Sequence, residues 1–86
     1  MASTDNFYTK SEVLVEFPHK SGAIRIIIGQ KLLRGEPKTY LDIRTWYPYS
    51  EHQQLVPGKG FAKPIDRENL YQIGTALCRY AETMDK

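Results

Sequence analysis

Between Tyr40 and Tyr47 the chain alternates, with Leu41 and Ile43 on one parity and Tyr40, Asp42, Arg44 and Trp46 on the other. Successive side chains of a strand point to opposite faces. The spacing therefore predicts a strand with one aliphatic face suited to a core and one face that sets an arginine beside a tryptophan. Similar segments precede it. Val13, Val15 and Phe17 alternate with Leu14 and Glu16 and predict a short first strand stopped by Pro18. A polar turn runs from His19 to Gly22. Ala23 to Leu33 is then a β-branched run interrupted by Gly29, which marks a bulge, a bend or a close approach by another group. By parity Arg25, Gly29, Lys31 and Leu33 share a face opposite Ile24, Ile26 and Ile28. The breakers in Arg34-Gly35-Glu36-Pro37-Lys38 read as a hairpin connection. The third strand spans about Thr39 to Tyr47 and ends at Pro48.

Tyr49 to Gln54 reads as a polar loop. Val56 to Lys63 reads as a fourth strand made irregular by Pro57, Gly58 and Gly60. Asp66 has the character of an N-cap, and after it Leu70, Ile73, Leu77, Ala81 and Met84 recur at spacings of three and four, one apolar face of a helix. Gly74 weakens that helix by about 1 kcal/mol relative to alanine. The pattern predicts an α+β fold: a four-stranded antiparallel β-sheet followed by a C-terminal α-helix (ββββα). It divides into a flexible N-terminal segment, residues 1–11, and a single domain, residues 12–86.

Size changes this picture. A chain of 86 residues buries only about 60–65% of the surface its unfolded form exposes and is marginal alone. A two-fold homodimer is the commonest remedy, with Leu70, Ile73, Leu77 and Ala81 as its expected helical core. At 41% apolar and 26% charged the composition is that of an ordinary globular protein, and no apolar run approaches a membrane span. Met1 to Asn6 lacks the basic and apolar regions of a secretory signal. The one cysteine, Cys78, permits no internal disulfide and predicts a reducing compartment, whether cytoplasm, nucleoid or nucleus.

The net charge of +2 is unevenly distributed. Residues 1–30 and 67–86 are each balanced. Residues 31–63 carry Lys31, Arg34, Lys38, Arg44, Lys59 and Lys63 against Glu36, Asp42 and Glu51, a surplus of three in the segment that also holds the only tryptophan. Doubled in a dimer and aligned along strands, that surplus would form an anion-binding groove.

Catalytic chemistry finds little footing. His19 and His52 fall in polar loops without cysteine or acidic neighbours at metal-ligand spacing, and Glu51 beside His52 reads as a solvated pair. Cys78 on the helix has no histidine beside it and reads as a small packed hydrophobe. Gly58-Lys59-Gly60 is too short for a phosphate-binding P-loop. The expectation is a protein that is not an enzyme and uses neither a metal nor any other cofactor.

The basic and aromatic set is more specific. Tryptophan commonly fills a core because it buries so much area, but the parity of Trp46 with Arg44 and Asp42 points to a platform on a solvated face. One helix covers only one face of a four-stranded sheet, which leaves the other to solvent, a second copy or a ligand. Asp42 is expected to hold and aim the Arg44 guanidinium. Tyr47 and Tyr49 at the strand end are open to three roles: lid, packing residue or stacking platform.

Leu-Asp-Ile-Arg-Thr-Trp-Tyr (Leu41 to Tyr47), then a polar loop, then Pro-Gly-Lys-Gly-Phe (Pro57 to Phe61), then Ile-Asp-Arg-Glu-Asn-Leu (Ile65 to Leu70) opening a helix, resembles the positive cofactor 4 family of transcriptional coactivators. The likeness is greatest to its compact bacterial and phage-type members and runs from about Ala23 to Leu77. It implies a dimeric, positive-cofactor-4/Whirly-like architecture. It also implies binding of single-stranded DNA with little sequence preference along basic, aromatic-bearing β-surfaces. Carried over, Arg44 matches the motif arginine that contacts DNA. Trp46 and Tyr47 match an aromatic pair whose second member is the one usually implicated, and Lys59 matches the lysine before the motif glycine. Arg34 and Lys38 fall among the basic residues of the hairpin, and Lys31 joins them by position.

The chain departs from the pattern where the family carries a phenylalanine beside Lys-Gly-Lys, because here the hairpin reads Leu33-Arg34-Gly35-Glu36-Pro37-Lys38. That removes one stacking platform, and Glu36 weakens the local field. The Lys-Gly element is one basic residue shorter, two residues are inserted before Asp66, and no serine- and lysine-rich regulatory tail is evident.

The expected function is a homodimeric single-stranded DNA-binding protein acting in transcription regulation, replication or repair. Its expected partners are single-stranded DNA or RNA, a second copy and proteins of transcription or replication, with no membrane. Two alternatives stand beside it: a purine-rich-element-type repeat that binds RNA or DNA, and a protein-interaction module without affinity for nucleic acid.

Overall fold

The computed structural model describes residues 7–49 and 54–84. Strands β1 (Lys10–His19), β2 (Gly22–Leu33), β3 (Glu36–Tyr49) and β4 (Gln54–Pro64) form one antiparallel sheet in sequence order, followed by helix α1 (Arg67–Thr83). The ββββα order expected from the pattern is therefore the observed one. Most of the expected loop from Tyr49 to Gln54, with its Glu51–His52 pair, lies outside the described residues, as do residues 1–6 of the expected flexible start.

The strands run further than their breakers suggest. Pro18 does not stop β1 but pairs opposite Ala23. β1 is an edge strand, where a missing N–H costs no ladder bond. Glu36, Pro37 and Lys38 likewise pair with Leu33, Leu32 and Lys31. The β2–β3 connection shrinks to Arg34-Gly35, both at positive φ (56° and 83°) as a two-residue primed turn needs. The β1–β2 turn, Lys20-Ser21, is as tight, with Lys20 at φ 55°. A bulge between Val13 and Val15 breaks the expected alternation of β1. Val13 therefore shares a face with Arg25 and Ile27, while Val15 and Phe17 turn to the other.

Register assigns the faces, since directly paired residues project to the same side. Ala23, Arg25, Ile27, Gly29 and Lys31 of β2 lie opposite Trp46, Arg44, Asp42, Tyr40 and Lys38 of β3. This is the mixed face. The aliphatic face carries Ile24, Ile26 and Ile28 with Leu41 and Ile43, flanked by Val15, Phe17 and Phe61. The two parities are as the sequence reads, but their burial is inverted. Tyr8, Ala23, Ile27, Tyr40, Asp42 and Trp46 are buried on the mixed face, whereas among the described residues Leu41 is the one buried on the aliphatic face. Val15, Phe17 and Phe61 are exposed.

The N-terminal segment covers one part of the mixed face. Tyr8 lies over Gly29 so closely that a Cβ there would sit 2.4 Å from the tyrosine Cγ. Its hydroxyl donates to Asp42 Oδ2, and Thr9 donates to the Gln30 carbonyl through both its N–H and its hydroxyl, at 2.8 and 2.9 Å. Lys10 and Ser11 thus belong to β1, and Tyr8 and Thr9 are bonded to the sheet. The residue-by-residue pattern cannot show this, because one tyrosine before a strand carries no periodic signal.

Asp66 caps α1 as expected, its Oδ1 accepting from the Asn69 N–H at 2.8 Å. No residue of α1 is buried. Ile73 is 41% exposed and Leu77 65%, so the stripe Leu70, Ile73, Leu77 and Ala81 forms no core within one chain. A stable domain normally sets a second layer against a sheet. Among the described residues the aliphatic sheet face and the helical stripe both lack one.

Candidate nucleic-acid interface

The residues expected to hold nucleic acid divide between two places. On the mixed face, Asp42 is 2% exposed and accepts two hydrogen bonds, from the Tyr8 hydroxyl on Oδ2 and from Arg44 Nε on Oδ1 at 2.7 Å. A carboxylate buried so deeply is tolerable only with partners of this kind. Burial, and then the bond to the Asp42 carboxylate, push the Tyr8 phenol well above its ordinary value, with the charge of Arg44 opposing. Arg44 is aimed by Asp42, as the sequence reads. Its Nη1 reaches the Gly58 carbonyl at 3.3 Å, and its guanidinium carbon lies 5.6 Å from the Phe7 ring centroid. Its side chain is 18% exposed. Arg44 therefore braces β4 from β3 more than it presents a cation to solvent.

Trp46 corrects the sequence reading most sharply. Expected as an open platform, it is 3% exposed, and the Arg25 guanidinium lies 4.6 Å above its ring. Arg25 is also ion-paired to Glu16. A base cannot stack on a ring already covered in this way. Parity gave the correct face, but that face is covered by its own long side chains. The Trp46 Nε1 is buried without a hydrogen-bond acceptor among the described residues. Lys31 spends its ammonium on the mixed face too, 4.9 Å from the Tyr40 ring centroid.

One cluster of side chains without ion pairs lies at the end of the sheet away from the β2–β3 hairpin. β3 and β4 change register between Arg44 and Trp46, so that Gly58 and Lys59 together lie opposite Thr45. Such a bulge re-aims side chains. The Thr45 hydroxyl donates to the Lys59 carbonyl at 3.2 Å, and Arg44 holds the Gly58 carbonyl. A Cβ at Gly58 would sit 3.1 Å from Tyr47 Cδ1, so glycine lets the Tyr47 ring lie against β4. Tyr47 is 49% exposed. With His19, Lys20, Ser21, Thr45 and Lys59 it lines an open hollow of about 600 Å³ between the β1–β2 turn and the bulge. Neither Lys20 nor Lys59 makes an ion pair among the described residues.

The expected residues thus fall into three groups. Tyr47 and Lys59 converge at the hollow. Arg44, Trp46 and Lys31 make internal contacts on the mixed face, and Trp46 also borders the hollow. Arg34 and Lys38 are exposed at and beside the far hairpin. Lys20 and His19 were missed, since a lysine in a polar turn gives no signal until pairing brings the turn beside Tyr47. Compared with known proteins, the chain matches no family model, no curated protein and no solved structure.

Proposed function

We propose that this protein is a homodimeric, non-enzymatic binder of single-stranded nucleic acid with little sequence preference, acting on DNA exposed during transcription regulation, replication or repair. One observation carries the reading: a half-exposed tyrosine and lysines without ion-pair partners line one open hollow. An aromatic ring offers every base a stacking surface, and ammonium groups beside it neutralise phosphates. The resemblance of Leu41 to Leu70 to positive cofactor 4 supports the same reading. Tyr47 takes the stacking role and Lys59 the phosphate, while Arg34 and Lys38 lie at the far end of the sheet. Arg44 positions the bulge, and Trp46 holds Arg25.

The dimer is supported by the two uncovered apolar surfaces, because each large aliphatic side chain gains roughly 1.5–3 kcal/mol on full burial. Titrating a labelled thymine oligonucleotide with wild type and Tyr47→Ala tests the site. Loss of about 1–3 kcal/mol of binding is expected for one stacked base. Unchanged affinity in a folded variant would remove Tyr47 from the interface.

The open aliphatic face also favours a second reading, a module that holds another polypeptide on Ile24, Ile26, Ile28 and Ile43. It predicts partner binding insensitive to salt and no affinity for oligonucleotides.

A further inference from the structure

We propose that the β1–β2 turn completes the hollow as a one-nucleotide site, in which Lys20 and Lys59 grip the same phosphate while its base lies on Tyr47. This rests on the nucleic-acid reading above and adds to it a residue, a stoichiometry and a geometry.

Three cations of the sheet are already engaged, whereas Lys10, Arg34, Lys38 and Lys63 make no ion pair among the described residues but lie outside the hollow. Arg25 is paired to Glu16 and laid on Trp46, Arg44 is paired to Asp42, and Lys31 lies on Tyr40. Each is committed inside the fold, where a phosphate would have to displace a partner. Lys20 and Lys59 have no such partner among the described residues, and they reach one hollow from two different connections of the chain.

Both connections are short or held by hydrogen bonds to β3. Lys20 sits at φ 55° in a two-residue turn closed by the His19–Gly22 pair. Lys59 sits in a bulge tied from both sides, by the Thr45 hydroxyl and by Arg44. Two ammonium groups on fixed backbone lose less freedom on meeting an anion than two on mobile loops, which is the benefit of preorganisation. The Ser21 hydroxyl and the His19 imidazole border the same space and add hydrogen-bonding groups. About 600 Å³ is the scale of a small-molecule site, ample for one nucleotide unit.

The test is a salt titration of oligonucleotide affinity. Each phosphate neutralised on a single strand contributes about −0.7 to the log–log slope. Lys20→Asn is the variant of choice, because asparagine accepts the left-handed conformation of this turn readily. With one shared phosphate, Lys20→Asn and Lys59→Ala each weaken binding by roughly tenfold, in keeping with a lost charge-assisted hydrogen bond. The double variant then flattens the slope by about 0.7 in all. Lys20→Arg keeps the charge and restores affinity, and Lys63→Ala, outside the hollow, leaves the slope within about 0.3 of wild type.

A slope change near 1.4 in the double variant would mean two separate phosphates and overturn the shared grip. Unchanged affinity in Lys20→Asn would remove the turn from the site while leaving the nucleic-acid reading intact. If wild type binds no oligonucleotide at low salt, that reading fails, and the grip fails with it.

Discussion

At the scale of single residues, Asp42 governs the mixed face. It receives Tyr8 from the N-terminal segment and Arg44 from its own strand, and Arg44 passes the constraint to Gly58 in β4. Removing the phenol hydroxyl leaves half of the carboxylate unsatisfied in a buried place. Tyr8→Phe is therefore expected to lower stability by about 1–3 kcal/mol, read from the urea midpoint. The raised Tyr8 value adds a pH dependence of known sign. The unfolded chain releases this proton near pH 10, whereas the folded chain retains it to higher pH. The contribution is complete below pH 10 and is lost as pH rises beyond it. The gap in stability between wild type and Tyr8→Phe should narrow above pH 10, and a gap that widens there would contradict the bond. Gly29→Ala probes the same contact by shape: the new methyl would meet the Tyr8 ring at 2.4 Å. A loss of about 1–3 kcal/mol is expected from overpacking.

At the scale of elements, the bulge in β4 sets the candidate site. Thr45→Val keeps the size of the side chain and removes its hold on the Lys59 carbonyl. The expected result is oligonucleotide binding weaker by roughly two- to fivefold, with stability changed by about 1 kcal/mol or less, as for one exposed hydrogen bond. Equal affinity would show that Lys59 needs no fixed backbone. This scale also shows how far the sequence could be read. Four strands, one helix, the Asp66 cap and the two parities of β3 followed from period and capping chemistry. Strand ends did not, because Pro18 and Pro37 are tolerated where an edge or a terminal pair needs no donor. The exposure of Trp46 did not either. Parity tells which face a side chain takes, but whether that face is open depends on Tyr8 and Arg25, which come from elsewhere in the chain. Tyr47 and Lys59 were legible from the resemblance. Lys20 required the register that seats its turn beside them.

At the scale of the whole molecule, one chain is a thin slab of 41 × 41 × 17 Å with a helix that buries none of its residues. The mixed face is covered by its own tyrosine and arginine, and the aliphatic face, with Val15, Phe17 and Phe61 exposed, is the surface the proposed homodimer would bury. Light scattering is expected to give twice the mass of one chain at micromolar concentration. Ile26→Asp or Leu77→Asp should yield monomers or abolish cooperative unfolding, since a charge buried in an apolar contact is strongly unfavourable. A wild-type monomer that melts cooperatively would contradict the dimer.

The central claim is that the hollow at the sheet end holds an unpaired strand. Its most direct test is fluorescence anisotropy of a labelled thymine oligonucleotide, single-stranded and annealed to its complement, titrated with the full chain at low and moderate salt. The account predicts tight binding of the single strand, weak binding of the duplex, and an affinity that falls with salt by about 0.7 in log–log slope per phosphate held. Equal binding of both forms, or of neither, would contradict it.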